Sequence, residues 1–142
     1  MGALRGGIVH LAEGGASIIN LSLGEAGKPL SARWRGTFVH NRIAPHAANT
    51  AYVIAAGNDG IAQPHDVEWS GAFDTSSIMV GSVRPDGTIL PFSNTPGEAC
   101  LLDNGVCREE VRLKRRFTVA PGEMILVDDG HGGVIRRSSS TR

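Results

Sequence analysis

The sequence predicts an α/β fold, a parallel sheet flanked by helices, and three observations carry that expectation. Short apolar runs containing β-branched residues stop abruptly at glycine or asparagine, as strands buried on both faces do. These runs alternate with stretches of helical periodicity, the order that builds right-handed parallel crossovers. Nineteen glycines against only 5% aromatic residues suit many tight strand-to-loop transitions better than a helical bundle.

The first element is a short helix. Leu4, Ile8, Leu11 and Ala12 recur at i, i+4, i+7 and i+8, on one helical face, and Gly14-Gly15 ends it. Ala16 to Gly24 follows as a strand, with Ile18-Ile19 and Leu21 buried and Ser22-Leu23-Gly24 as its exit. After a loop from Glu25 to Pro29, the residues Trp34, Phe38, Val39 and Ile43 predict a second amphipathic helix that Pro45 ends or kinks. Ala51 to Ala56 is the second strand, and a loop then runs through Pro64, His65 and Trp69 to Asp74. Ser77 to Val83 is a third strand. Arg84-Pro85-Asp86-Gly87 is a turn in which Pro presets φ and Gly relieves the last position, and Thr88 to Phe92 returns as an antiparallel partner. From Ser93 to Arg116 the pattern degrades into a surface excursion holding both cysteines and a mixed-charge run. Phe117 to Gly122 and Met124 to Val127 restore strand-like runs around a Pro-Gly turn, Asp128 to Gly133 is another turn, and Val134-Ile135 begins a last strand.

The 142 residues make one domain, a size at which roughly 68–70% of the unfolded surface is buried. Lys plus Arg equals Asp plus Glu, which argues against nucleic acid or a membrane surface as partner, since both draw on a basic excess. No apolar run reaches the ~18 residues that span a bilayer, and Met1 to Gly7 is too short an apolar region for a secretory signal. Cys100 and Cys107 are consistent both with a small disulfide and with two free thiols. None of the five histidines, His10, His40, His46, His65 and His131, shows zinc-ligand spacing, so no metal is expected. Asp128-Asp129-Gly130 lacks the alternating oxygen ligands of a calcium loop, and neither Gly14-Gly15 nor Gly132-Gly133 has phosphate-loop spacing. No cofactor is therefore implied.

The stretch Ala51 to Gly60 organises the rest. Its apolar run stops at Gly57-Asn58-Asp59-Gly60, which places an uncharged amide just past the carboxyl end of a buried strand, where ligands sit in open α/β sheets. By itself this is also what a strand followed by a turn that needs Asn looks like.

Four stretches in a fixed order discriminate further: Ile19-Asn20-Leu21-Ser22-Leu23-Gly24, then Ile54-Ala55-Ala56-Gly57-Asn58-Asp59-Gly60, then Val80-Gly81-Ser82-Val83 leading to Phe92-Ser93-Asn94, and finally Ala120-Pro121-Gly122. With these motifs the chain resembles the subtilisin-like serine endopeptidases, over roughly the second half of that family's catalytic domain. The resemblance implies that Ser22-Leu23-Gly24 pairs with the peptide substrate backbone and lines one side of the specificity pocket. It implies that Ala55-Ala56-Gly57 forms the opposite wall, where small residues leave room for the substrate side chain. Asn58 matches the oxyanion-hole asparagine, and Ala120-Pro121-Gly122 matches the structural turn before the catalytic serine segment.

The departures are equally specific. The family carries its triad as Asp, His, Ser, with the first two before the Ser-Leu-Gly strand; here only a helix precedes that strand. His131-Gly132 mimics the histidine motif in the wrong order and reads as a turn. Ser140-Thr141-Arg142 stands about where Gly-Thr-Ser is expected, with Arg142 in the nucleophile's place, unless the chain ends before that segment. Relative to the family, Ser93 to Arg116 also reads as an insertion.

The expectation is thus a partial subtilisin-like peptidase domain over residues 1–142, with an insertion at about 93–116, whose parent reaction is peptide-bond hydrolysis through an acyl-enzyme. Its expected partners are a peptide or protein substrate and either the missing part of the catalytic domain or a second copy of itself. A non-catalytic peptide-binding or scaffold module derived from the same fold is the alternative, and a nucleotide-binding domain would need a phosphate loop that is absent. The family is often secreted or periplasmic, and this chain shows no signal peptide.

Overall fold

Helix α1 (Gly2–Glu13) forms over the predicted periodic stretch and ends as a glycine-capped helix should. Gly15 adopts φ +82°, its N–H donates to Ala12 O (3.1 Å), and Ala16 N–H donates back to Leu11 O (3.0 Å), closing the last turn. The computed structural model describes residues 2–23, 43–64, 66–68, 76–102, 105–123 and 125–137. The buried face of α1 is Ile8, Val9 and Ala12, with Leu4 packed partly against the core. Leu11, expected on that face, is 48% exposed; Val9 takes the inward position because i, i+4, i+5, i+8 fits the sheet beneath.

The central sheet is wholly parallel in the order β1 (Ile18–Leu21), β2 (Ala51–Ala55), β4 (Ser77–Val83), β6 (Phe117–Pro121). Its α1-facing side carries Ile19, Leu21, Tyr52, Ile54 and Met79, all buried with Ile8, Val9 and Ala12 in one core. The opposite side is open in part, with Ile18 67% and Ile78 44% exposed. Tyr52 is fully buried, and burial pushes its phenol upward while a hydrogen bond with Thr50 pulls the other way. The α/β expectation and all three predicted parallel strands are observed. The second predicted helix lies outside the described residues up to Ile43, which is itself buried in a turn leading into a 3-10 turn at Ala44–His46. His65, Trp69 and Asp74 also lie outside them.

The turn after β4 forms as expected, with Gly87 at φ +86° and its N–H donating to Arg84 O (3.0 Å). The antiparallel return is shorter than expected: a single bridge joins Val83 to Ile89, and Leu90 N–H donates to Ser82 O (2.9 Å). The segment from Ser93 to Arg116 is not a simple surface excursion. Ser93, Asn94, Ala99, Cys100, Leu101 and Leu113 are buried, and β5 (Leu101–Leu102) pairs in parallel with β3 (Val67–Glu68). Its apolar residues reach the core from short strands and 3-10 turns, so no helical or strand period announces them. Cys100 and Cys107 are joined in a disulfide, which settles the pairing left open by spacing. Outside this loop Arg112 and Lys114 pair with Glu98, and the neighbouring Arg112 guanidinium holds Glu109 below the usual glutamate range.

Ala120 and Pro121 are still paired in β6, opposite Ser82 and Val83, so the predicted turn begins only at Gly122, whose N–H donates to Val83 O (3.0 Å). The chain then forms an antiparallel hairpin of β7 (Ile125–Asp128) and β8 (Val134–Arg137).

Candidate active site

Three strand exits gather at the carboxyl end of the sheet. Leu21 lies opposite Ile54, so continuing the register sets Ser22 and Leu23 beside Ala55 and Ala56. Ala55 pairs with Val80, and Ala56 N–H donates to Val80 O (2.9 Å). The structure thus brings Ser22, Leu23, Ala55, Ala56, Gly57 and Asn58 to one end of the sheet; Gly24 lies outside the described residues. Leu23 is 49% exposed, Ala56 is buried, Ala55 and Gly57 are half-buried and Asn58 is exposed. The Ser22 hydroxyl turns back to donate to Asn20 Oδ1 (2.9 Å).

After Ala55 the backbone leaves extended geometry. Gly57 takes φ +103° and Gly60 takes φ +67°, conformations that L side chains rarely adopt. A Cβ on Gly57 would lie 2.5 Å from Asn94 Nδ2, so this glycine is required by close approach as well as by its torsion.

That neighbour is the residue whose role the sequence did not disclose. Asn94 is 3% exposed and its side chain is satisfied at both ends. Its Oδ1 accepts from Asp59 N (3.0 Å) and Ile61 N (3.2 Å), while Nδ2 donates to Ala56 O (3.1 Å) and approaches Asp59 Oδ2 (3.5 Å). The two backbone donors fix which end of the amide is oxygen. Backbone bonds extend the clamp: Asn94 N to Gly57 O (3.0 Å), Gly60 N to Phe92 O (2.7 Å), Thr95 N to Ile61 O (3.0 Å) and Gln63 N to Thr95 O (2.9 Å). Ser93 ties the same strap to β4, its Oγ accepting from Ser82 N (2.9 Å) and donating to Asn94 O (3.1 Å). The signal available beforehand was the order of motifs, with Phe92-Ser93-Asn94 after the β4 stretch; the pairing itself spans 33 to 38 residues.

Other candidates separate from this cluster. His131 sits in the β7–β8 turn, as its surroundings predict. Ser138, Ser139, Ser140 and Arg142 lie outside the described residues. Among the described residues no group of three His, Cys, Asp or Glu side chains is arranged to hold a metal ion.

Chemically, an exposed amide at a rigid turn beside two parallel strand exits can donate a hydrogen bond to a developing oxyanion while an extended peptide lies against the strand edge. The model of the subtilase family matches residues 3–128 of this chain. The patellamide maturation protease PatA superposes with a TM-score of 0.57 at 25% identity, over 95% of this chain and 42% of that one. The prenylagaramide maturation protease PagA gives 0.59 at 24% identity with the same coverages, and the PatG macrocyclase in complex with peptide gives 0.55 at 20%, over 96% and 34%. The chain therefore spans about two fifths of the length of the two maturation proteases and about a third of the macrocyclase. No curated protein matches it.

Proposed function

This chain belongs to the subtilase family, and on that premise we propose that it supplies the substrate-strand and oxyanion side of a serine endopeptidase site. The observation that carries the reading is Asn58, exposed at the carboxyl end of β2 on a loop set by Gly57 and Gly60, next to the exit of β1. In this reading Ser22, Leu23 and Gly24 hold the peptide backbone, and Ala55, Ala56 and Gly57 form the opposing wall of the specificity pocket. The Asn58 amide donates to the oxygen of the tetrahedral intermediate as a serine attacks the scissile carbonyl. The amine then leaves with a proton from the histidine, and water releases the acyl group.

The triad is assigned to no motif residue of this chain, so the attacking half comes from the rest of the catalytic domain. The likeness to a maturation protease at 25% identity supports a peptide or protein substrate. The partly open sheet face at Ile18 and Ile78 supports docking of the remaining domain or self-association, which sedimentation of the isolated chain reads directly.

The test is peptide hydrolysis by the complete peptidase domain. Asn58→Ala is expected to lower kcat by ~10²–10³ with little change in KM, a magnitude taken from subtilisin itself, a member of this family. An unchanged kcat overturns the assignment. The isolated chain is expected to leave a fluorophosphonate probe unreacted, and labelling would overturn the view that its nucleophile lies elsewhere. A non-catalytic peptide-binding module, the alternative reading, predicts no hydrolysis from any complete version of the domain while peptide still binds at Ser22 and Leu23.

A further inference from the structure

Asn94 stands apart from every other polar residue near the sheet end. It is one of few buried polar side chains among the described residues, it lies between β4 and β5 rather than in a strand, and it spends its amide on the backbone that carries Asn58. Two of its bonds go to the N–H groups of Asp59 and Ile61, on the far side of Asn58, and one goes to the carbonyl of Ala56, on the near side. The loop therefore closes around a single planar amide, with Asn58 at its crest.

We infer that Asn94 is a positioning residue that holds the Asn58 amide in its donating direction, rather than a packing residue of the core; the inference rests on the oxyanion reading of Asn58. The physical argument is one of valence. The site offers two donors and one acceptor on opposite ends of a planar group, and a primary amide is the side chain that answers both. A carboxylate of the same shape keeps the two acceptor bonds but turns lone pairs toward Ala56 O and adds a charge facing the Asp59 carboxylate. An alanine removes the partner of two part-buried N–H groups and of one buried carbonyl, and a buried group is costly to leave without a partner. Gly57 completes the arrangement, because any side chain there would occupy the position of Asn94 Nδ2. Ser93, by contrast, bonds β4 and its own neighbour and does not touch the loop, so it serves as the packing control.

Nuclear magnetic resonance on the full 142-residue chain tests this without needing activity. In the wild type, Asn58 is expected to show couplings of one χ1 rotamer, and the Asp59 and Ile61 amides are expected to be protected from exchange. In Asn94→Asp, which preserves shape, Asn58 is expected to average between rotamers. In Asn94→Ala the Asp59 and Ile61 amides are expected to exchange at least ~10-fold faster, on the scale of one lost hydrogen bond, while Tyr52 and Met79 stay protected. Ser93→Ala is expected to leave the Asn58 couplings unchanged. Unaltered Asn58 couplings in Asn94→Asp overturn the inference. So does a loss of fold in both Asn94 variants, which would assign the residue to the core. An extended peptide titrated into the same wild-type sample reports separately on the oxyanion reading through shifts at Ser22 and Leu23. Absence of those shifts with the Asn94 result intact counts against the site, and the reverse counts against the positioning role.

Discussion

The Asn58 loop and the β7–β8 turn are built from the same residue types and held in opposite ways. Both are glycine-rich, and both carry two glycines at positive φ: Gly57 and Gly60 in one, Gly130 (+80°) and Gly132 (+84°) in the other. The hairpin turn satisfies itself. Asp129 Oδ1 accepts from His131 N (2.8 Å) and Gly133 N (2.9 Å), Asp128 Oδ1 accepts from Gly130 N (2.6 Å), and Asp129 N donates to Gly133 O (3.1 Å). The Asn58 loop is satisfied from more than thirty residues away by Asn94 and its strap. A turn closed by its own aspartates takes these bonds from within its own six residues. A loop closed by a distant buried amide inherits the rigidity of the sheet, and it can present one side chain in a fixed direction.

Four substitutions or perturbations sharpen that contrast. The largest effect is expected at Gly57→Ala, where a positive φ and the clash with Asn94 combine to cost about 3 kcal/mol in urea unfolding; a cost as small as that of a hairpin glycine would erase the distinction. Next comes the disulfide that anchors the chain beyond the strap. Opening Cys100–Cys107 is expected to cost about 2–3 kcal/mol on the chain-entropy view, measured as a lower midpoint under reductant. The Asp59 and Ile61 amides should keep their relative protection, since the strap residues 92 to 95 precede the bridge. Deprotection there first would mean that the bridge, not Asn94, sets the loop.

Gly130→Ala, with nothing within 4 Å of its added Cβ, is expected to cost only about 1 kcal/mol and to leave peptide-induced shifts at Leu23 untouched. The smallest effect belongs to a second self-contained turn. Asp86 accepts from Thr88 N (2.9 Å) and Thr88 Oγ1 (2.7 Å), and these bonds hold its carboxyl below the usual aspartate range. A depressed folded pKa means the contribution is present above the unfolded value and fades as pH falls through the folded one. Acid titration should therefore show an Asp86 midpoint lower than that of an unstructured aspartate, and Thr88→Val should move it back up. A midpoint indifferent to Thr88 would break the local account of such turns.

Much of this was legible in the residues. The apolar runs at Ile18–Leu21, Ala51–Ala55 and Ser77–Val83 form the strands they suggest, because a strand buried between neighbours needs only continuous β-branched and aliphatic side chains. The Arg84–Gly87 and Asp128–Gly133 turns were readable for the same reason, their chemistry being contained within a few positions. Leu11 misled because helical periodicity specifies a stripe but not where the sheet will meet it. The segment from Ser93 to Arg116 misled because Ala99, Cys100, Leu101 and Leu113 enter the core at irregular spacing, from pieces too short to carry a period.

The sequence by itself determined the strand exits and marked Asn58 as an amide at the end of one of them, since strand, glycine and turn are local instructions. It also carried the order of motifs that names the family. Only the tertiary structure decided that Cys100 bonds Cys107, that Ala120 and Pro121 remain within β6, and that Asn94 closes the loop beneath Asn58. Those facts depend on which distant backbone groups are left without partners once the sheet has assembled. That demand exists only in three dimensions, because a hydrogen bond is chosen by proximity in space and not by position along the chain.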